Sequence, residues 1–154
     1  MRAILINPNT RTVEEVDCSG TLADIYRLTG TDTLTMLGVD RAHHMYLDDE
    51  GLMRAAPKFF MFGSYPQPLA GCAVILSHDG EGGEASATVS LSAIRGAVTW
   101  TRPDLRVAGF EEMPAREVDH PDLGRVTVLS RIPVFATGAS DAASGTEPFG
   151  PREK

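Results

Sequence analysis

The chain has 154 residues, 42% hydrophobic and 23% charged, as in an ordinary soluble globular protein. Its 14 Lys and Arg residues face 21 Asp and Glu residues, and the net charge of −7 argues against a nucleic-acid partner, because binding a polyanion takes an excess of basic residues. No window approaches the ~18 apolar residues of a membrane span, so we expect a cytoplasmic protein without a membrane partner. The two cysteines form no CxxC pair, so we expect no zinc site.

The first half of the chain alternates strand and helix signals. The opening "RAILINPNTRTVEEV" has a turn cluster between two apolar runs and predicts a β-hairpin that pairs residues 2–6 with 11–16. In "SGTLADIYRLTG" the apolar residues have helical spacing, Ser19 or Thr21 can cap, and Gly30 can end the helix. The segments "DTLTMLGV" and "HHMYLDDEGLM" then predict two strands.

The second half continues with strands and one helix. "KFFMFG" and "CAVIL" predict buried strands, the latter central, and the prolines of "SYPQPLAG" between them predict an ordered loop. "SHDGEGGEASA" has the composition of a surface loop. "TVSLSAIRGAVTW" predicts a second helix that uses Leu91, Ile94 and Val98 and stops at Pro103. "LRVAGFEEM" and "RVTVLSRIPVF" predict two further strands, joined through "PAREVDHPDLG".

These elements predict an α+β fold, with a mainly antiparallel sheet built from hairpins and two short helices. We expect a single domain over residues 1–135. Residues 136–154 are rich in Ala, Ser, Gly and Pro, bury little surface, and are expected to form a flexible tail.

Four segments in order, "MRAILINPNTRTV", "DIYRLTGTDTLT", "YLDDEGLM" and "FGSYPQPLAG", resemble the DUF3846 family. The resemblance covers residues 1–95, with "YPQPLAG" as its most specific part, and leaves 96–135 as added strands. Typical members are expected to carry Lys where this chain has Cys72, so any role for a positive charge there is missing. The resemblance implies that the chain is one of the small proteins found in bacteriophages, plasmids and other mobile elements. It implies a genomic setting but no activity, because none is established for the family.

The segment "HHMYLDDEGLMR" gathers two histidines and three consecutive carboxylates. In a strand His43 and His44 point to opposite faces, so they cannot chelate one ion as neighbours. A calcium loop would need oxygen ligands at alternating positions over about twelve residues, and this run stops after three. Residues 48–51 are therefore predicted to form a hairpin turn without a metal.

Other combinations of reactive residues are equally weak evidence for a binding or catalytic site. The glycine-rich "DGEGGE" is acidic and lacks the following Lys-Ser/Thr of a phosphate-binding loop. Cys72 and His78 would lie ~20 Å apart along one extended strand, too far for a catalytic dyad. The sequence therefore predicts no catalytic residue, metal ligand or cofactor and favours a protein that is not an enzyme.

The best candidate for a site is the loop in "FMFGSYPQPLAG". Aromatic side chains beside rigid prolines make contact surface at a low entropy cost, although the same residues could instead pack against the sheet. The predicted interaction residues are Phe60, Phe62, Tyr65, Pro66, Gln67 and Pro68.

Three functions follow from these patterns. The favoured one is a non-enzymatic accessory protein of a mobile element that binds an unknown host or mobile-element protein through residues 65–71 and the neighbouring sheet edge. The first alternative is a small-ligand-binding or metal-dependent enzymatic domain that uses the carboxylates of Asp48, Asp49 and Glu50. The second is an acidic anti-defence protein that occupies a nucleic-acid-binding site, a role for which the net charge of −7 is modest.

Overall fold

The structure, a computed structural model, describes residues 1–138 and divides into two compact units, Met1–Pro103 and a second that begins at Asp104. A single domain over residues 1–135 stays a prediction, and from residue 139 onward the predicted tail lies outside the described residues. The elements of the first unit are β1 (Arg2–Asn7), β2 (Thr12–Asp17), α1 (Leu22–Thr29), β3 (Leu34–Gly38), β4 (His43–Asp48), β5 (Phe59–Phe62), β6 (Leu69–Ala70), β7 (Ala73–His78), β8 (Glu84–Ala85), α2 (Leu91–Ala97) and β9 (Val98–Trp100).

The main sheet of the first unit is antiparallel, in the order β2-β1-β7-β4-β3, and β8 adds a short pairing to β7. The predicted opening hairpin is confirmed, with Arg2 opposite Asp17 and Asn7 opposite Thr12. The apolar run "CAVIL" lies in β7, between β1 and β4, which confirms its central position. Such a strand is covered on both faces, and its continuous apolar sequence matches that burial.

Strand alternation divides the core between the two faces of this sheet. On one face Ile4, Met45 and Ile75 pack against the second sheet and α2. On the other face Val74 and Leu76 pack with Ala3, Cys18 and with Ile25 of α1. Helix α1 begins and ends as predicted, because the Thr21 side chain accepts a hydrogen bond from the Asp24 amide and Gly30 adopts a left-handed conformation at φ 77°.

A second, three-stranded sheet has the order β6-β5-β9. The prediction that the second helix runs to Pro103 is wrong, because α2 ends at Ala97 and Val98–Trp100 form a strand. Two β-branched residues and a tryptophan favour that strand, and Trp100 pairs opposite Phe60 of β5.

The predicted hairpin turn after β4 is also wrong. The chain does turn there, but Gly51–Met53 form one turn of 3-10 helix and no return strand follows. Both edges of β4 are already paired, to β3 and to β7, so no edge is left for a returning strand. The chain instead crosses to β5 of the second sheet.

The described part of the second unit contains two antiparallel pairs. The predicted strands are confirmed in part, because "RVTVLSRIPVF" divides into two strands and the connecting "PAREVDHPDLG" contains a third. The pairs are β10 (Arg106–Glu112) with β13 (Arg131–Ala136) and β11 (Arg116–His120) with β12 (Gly124–Val128). The described chain is therefore α+β with antiparallel pairing, as predicted, but dominated by strands. Neither helix within residues 1–138 has the length and apolarity needed to cross a membrane.

Candidate functional site

The loop between β5 and β6, residues 63–68, is held at its start by a backbone hydrogen bond and at its end by strand pairing. Gly63, at φ 52°, donates its amide to the carbonyl oxygen of Ala97 at 2.8 Å. At its end, Leu69 of β6 pairs opposite Phe60 of β5, and beyond β6 the Gly71 amide donates to the Lys58 carbonyl oxygen at 2.9 Å. The prolines predicted an ordered loop for all of "SYPQPLAG"; residues 64–68 form that loop, whereas Leu69–Ala70 form strand β6.

The six residues predicted for interaction are exposed to very different degrees. Phe60 has no exposed surface and lies in the main core, so it supports the loop and does not present itself to a partner. Phe62 is half-buried and packs against the same core. Tyr65 is 37% exposed. The other three range from exposed to half-buried: Pro66, Gln67 and Pro68.

Two concave regions meet at Tyr65, and together we call them the Tyr65 groove. The larger, of about 430 Å³, is lined mainly by apolar residues: Leu37, Val39, Met45, Phe62, Leu69 and Ile94. The smaller, of about 160 Å³, is also lined largely by apolar residues, but its lining includes two carboxylates and two other polar side chains: Asp48, Asp49, Thr35 and Gln67. Tyr65, Leu37 and Leu69 line both regions, so the groove follows β3 past the tyrosine ring.

Strand β3 forms one edge of the main sheet, and its outer side pairs with no other strand within residues 1–138. The Thr33 carbonyl oxygen accepts from the Asp49 amide at 2.8 Å, and the Val39 amide donates to the His43 carbonyl oxygen at 2.9 Å. Since hydrogen-bonded residues alternate in an antiparallel pair, the intervening even-numbered residues direct their N–H and C=O groups to the open edge. Those residues are Leu34, Met36 and Gly38.

The two edges of the main sheet differ in charge. At the other edge β2 carries Glu14, Glu15 and Asp17, charged residues of the kind that prevent unwanted strand pairing. Strand β3, with the sequence LTMLG, has no charged residue and no proline, and Met36 is 57% exposed. The structure therefore places an unprotected strand edge beside the Tyr65 groove.

Asp48 organises the turn after β4. Its carboxylate accepts hydrogen bonds from Arg54 at 2.8 Å, from the Glu50 amide at 2.9 Å, and from the Thr33 and Thr31 hydroxyls at 2.8 and 3.1 Å. Burial raises the pKa of Asp48, but the hydrogen bonds, chiefly from Arg54, outweigh it and lower the pKa to about 2. Asp48 is thus an ionised structural residue whose oxygens are already engaged.

The other two acidic residues of the turn do not gather around Asp48 with a histidine. Asp49 and Glu50 are exposed, and His43 is at the opposite end of β4, on the order of 16 Å away along the strand. In residues 1–138 no group of three or more His, Cys, Asp or Glu side chains is arranged to hold a metal ion.

The histidines have separate partners on opposite faces, as strand alternation predicted. His43 Nε2 accepts from the Thr88 and Val89 amides at 2.9 and 3.2 Å, so the hydrogen of the neutral ring is on Nδ1, which faces Asp40 at 2.9 Å. His43 thereby attaches the chain before α2 to the main sheet. The hydrogen bond from His43 lowers the pKa of Asp40.

Sequence reasoning missed a polar cluster around Glu84 on the other face. Its carboxylate accepts from His44 Nε2 at 2.9 Å and from the Tyr46 hydroxyl. Burial, followed by the contact with Glu84, raises the pKa of Tyr46 far above its ordinary value, so the phenol remains a donor. The His78 ring stacks on His44 at 5.7 Å. The shared face of His44 and Tyr46 was visible in the sequence, but their partner Glu84 is in strand β8, 40 and 38 residues farther along the chain.

We expect Glu84→Ala to lower the free energy of unfolding by about 2 kcal/mol, because His44 and Tyr46 lose their acceptor in a partly buried site. Urea unfolding measures the change. Glu81→Ala is the matched control, an exposed glutamate in the turn just before β8, and should cost less than about 0.5 kcal/mol. Equal effects of the two substitutions would contradict a structural role for the cluster.

The cysteines lack the environment of nucleophiles. Burial raises the pKa of both Cys18 and Cys72, which disfavours the reactive thiolate. Cys72 precedes β7 and His78 ends it, so the strand keeps this pair apart, as predicted.

The part of the chain that contains the Tyr65 groove matches known proteins. A family described as "Domain of unknown function (DUF3846)" matches residues 1–96. The chain is 44% identical over 81 residues to Uncharacterized protein y4iR of Sinorhizobium fredii (strain NBRC 101917 / NGR234), a match that covers 51% of this chain and 50% of that protein. It is 29% identical over 91 residues to Protein PsiB of Rhizobium leguminosarum bv. phaseoli, a match that covers 59% of this chain and 68% of that protein. The chain thus spans about half the length of the first relative, and no solved structure matches it.

Proposed function

The chain belongs to the DUF3846 family through residues 1–96, and we propose that it is a non-enzymatic protein-interaction module that binds an extended segment of another protein. The observation that carries the proposal is the open, uncharged edge of β3 beside the Tyr65 groove. A segment paired with β3 would use main-chain hydrogen bonds for affinity and place alternate side chains in the groove for specificity.

The loop suits recognition because its shape is set before a partner arrives. Pro66 and Pro68 restrict the backbone on both sides of Gln67, and the Gly63 hydrogen bond and the pairing of Leu69 with Phe60 fix the loop ends. Little ordering entropy is then lost on binding. The Tyr65 hydroxyl makes no hydrogen bond with residues 1–138 and is available to a partner.

In the cell we propose a cytoplasmic accessory protein of a mobile element, such as a phage or plasmid, with a host or mobile-element protein as its partner. The setting rests on the family resemblance. A protein partner is favoured over nucleic acid because acidic residues outnumber basic ones, 21 to 14.

The two alternative functions have less support. A metal-dependent or ligand-binding site on the turn after β4 would have to compete with Arg54 for the Asp48 carboxylate. An acidic anti-defence surface would draw on β2, but Glu15 pairs with Arg2 at 2.7 Å and Asp17 with the N-terminal amine at 3.2 Å. Both pairings weaken the acidic character of that edge.

We expect Met36→Pro to abolish partner capture while changing the free energy of unfolding by less than about 1 kcal/mol. Proline removes an N–H group that points to the open edge and takes nothing from the β3–β4 ladder, and prolines are tolerated on such edges. The measurement is affinity capture from a lysate of the native host, quantified by mass spectrometry, with urea unfolding in parallel.

Met36→Val is the control, because it keeps the backbone amide and favours a strand. The proteins of interest are those captured by wild type and Met36→Val and lost with Met36→Pro. If Met36→Pro retains every protein that wild type captures, binding at the β3 edge is wrong.

A further inference from the structure

We propose that the bound segment carries a large apolar residue and, two positions away, a lysine or arginine. This inference rests on the proposed function and adds the chemistry of the partner. The occupant is thus an extended peptide segment of another protein, with one apolar and one basic side chain directed to the same side.

The spacing comes from β3 itself. Thr35, Leu37 and Val39 alternate along the strand and share the face that lines the groove. Leu37 and Val39 line the larger region, whereas Thr35 and Leu37 line the smaller one. The two regions therefore follow one another along β3 at about a two-residue step, roughly 7 Å. A strand paired with β3 in either direction places side chains i and i+2 over them.

The larger region selects the apolar residue. Its volume of about 430 Å³ and its apolar lining, including Phe62, Leu69 and Ile94, leave room for a leucine, methionine or phenylalanine side chain. Tyr65 borders the region and can cover the inserted side chain with its ring.

The smaller region selects the basic residue by charge. Asp49 lines it, is exposed, and accepts no hydrogen bond or ion pair from residues 1–138. The neighbouring Asp48 is already paired with Arg54, so the unbalanced charge of this region is that of Asp49. Pro68 and Leu52 provide apolar surface along which the methylene groups of a lysine or arginine can pack while the charged end meets the carboxylate.

The test is selection from a random heptapeptide display library on the full chain, followed by affinity measurements with synthetic copies of the enriched peptides. We expect enrichment of a large apolar residue two positions from Lys or Arg. Asp49→Lys should weaken these peptides roughly 5- to 10-fold, because attraction becomes repulsion at one site. Glu14→Lys makes the same charge change on β2, at the other edge of the sheet, and should leave their affinity unchanged.

The outcomes separate this inference from the proposed function. Peptides that bind wild type, fail on Met36→Pro and lack the apolar–basic pair would overturn the inference while the β3 edge remains the binding site. An equal loss of affinity with Asp49→Lys and Glu14→Lys would also overturn it, because the effect would then reflect net charge alone. Enriched peptides that bind Met36→Pro as well as wild type, or no enrichment at all, would overturn both.

Discussion

Phe60→Ala is expected to lower the free energy of unfolding by about 3–5 kcal/mol, the largest effect of any substitution in the loop segment. Phe60 is fully buried between the two sheets, where its ring joins the β5–β9 pairing to the main core. Truncation removes a large apolar side chain and leaves a cavity that a close-packed core fills only partly. Urea unfolding at equilibrium measures the loss.

Tyr65→Ala is the matched comparison, five residues along the same segment. Since its side chain is 37% exposed, we expect a stability loss of only about 1–2 kcal/mol, together with loss of the partner. A stability loss above about 3 kcal/mol with partner binding intact would make Tyr65 a packing residue like Phe60 and would remove it from the binding surface.

Asp48→Asn is expected to cost about 2 kcal/mol of stability at pH 7, because the folded chain holds the pKa of this carboxyl near 2 against 3.8 in the unfolded chain. The variant keeps the size of the side chain and removes the charge that Arg54 contacts. Asp49→Asn is the control, an exposed neighbour whose substitution should change stability by less than about 0.5 kcal/mol.

The lowered pKa of Asp48 also fixes how the free energy of unfolding changes with pH. A carboxyl group with a lowered pKa stabilises the fold while it is ionised, fully above about pH 5, and its contribution is lost as the pH falls from about 4 to about 2. The stability gap between wild type and Asp48→Asn should therefore be widest near neutral pH and close toward pH 2. Denaturant titrations at several pH values test this, and a gap that stays constant down to pH 2 would show that the charge of Asp48 does not carry its effect.

Local patterns predicted the elements that depend on neighbouring residues. The turn cluster around Pro8 gave the first hairpin, and Thr21 with Gly30 gave the ends of α1. Alternation placed His43 and His44 on opposite faces, where each has its own partner. These features follow from backbone preferences and from strand and helix periods, which a few adjacent residues encode.

The errors arose where distant segments decided the outcome. The sequence allowed the helix to continue through Val98–Trp100, but pairing with the edge of β5 made these residues a strand. The acidic turn after β4 resembled a hairpin tip until pairing with β3 and β7 occupied both edges of β4. Propensity is a small energy per residue, and the pairing of a whole strand outweighs it.

The sequence by itself determined the family resemblance, the antiparallel α+β class and the stiff loop at Tyr65 that the proposed function uses. Only the tertiary structure decided that Phe60 is buried, that Glu84 joins His44 and Tyr46, and that the Tyr65 groove lies beside an open edge. The physical reason is that an edge is open or closed only once the strand order is known, and strand order is a property of contacts far apart in the chain.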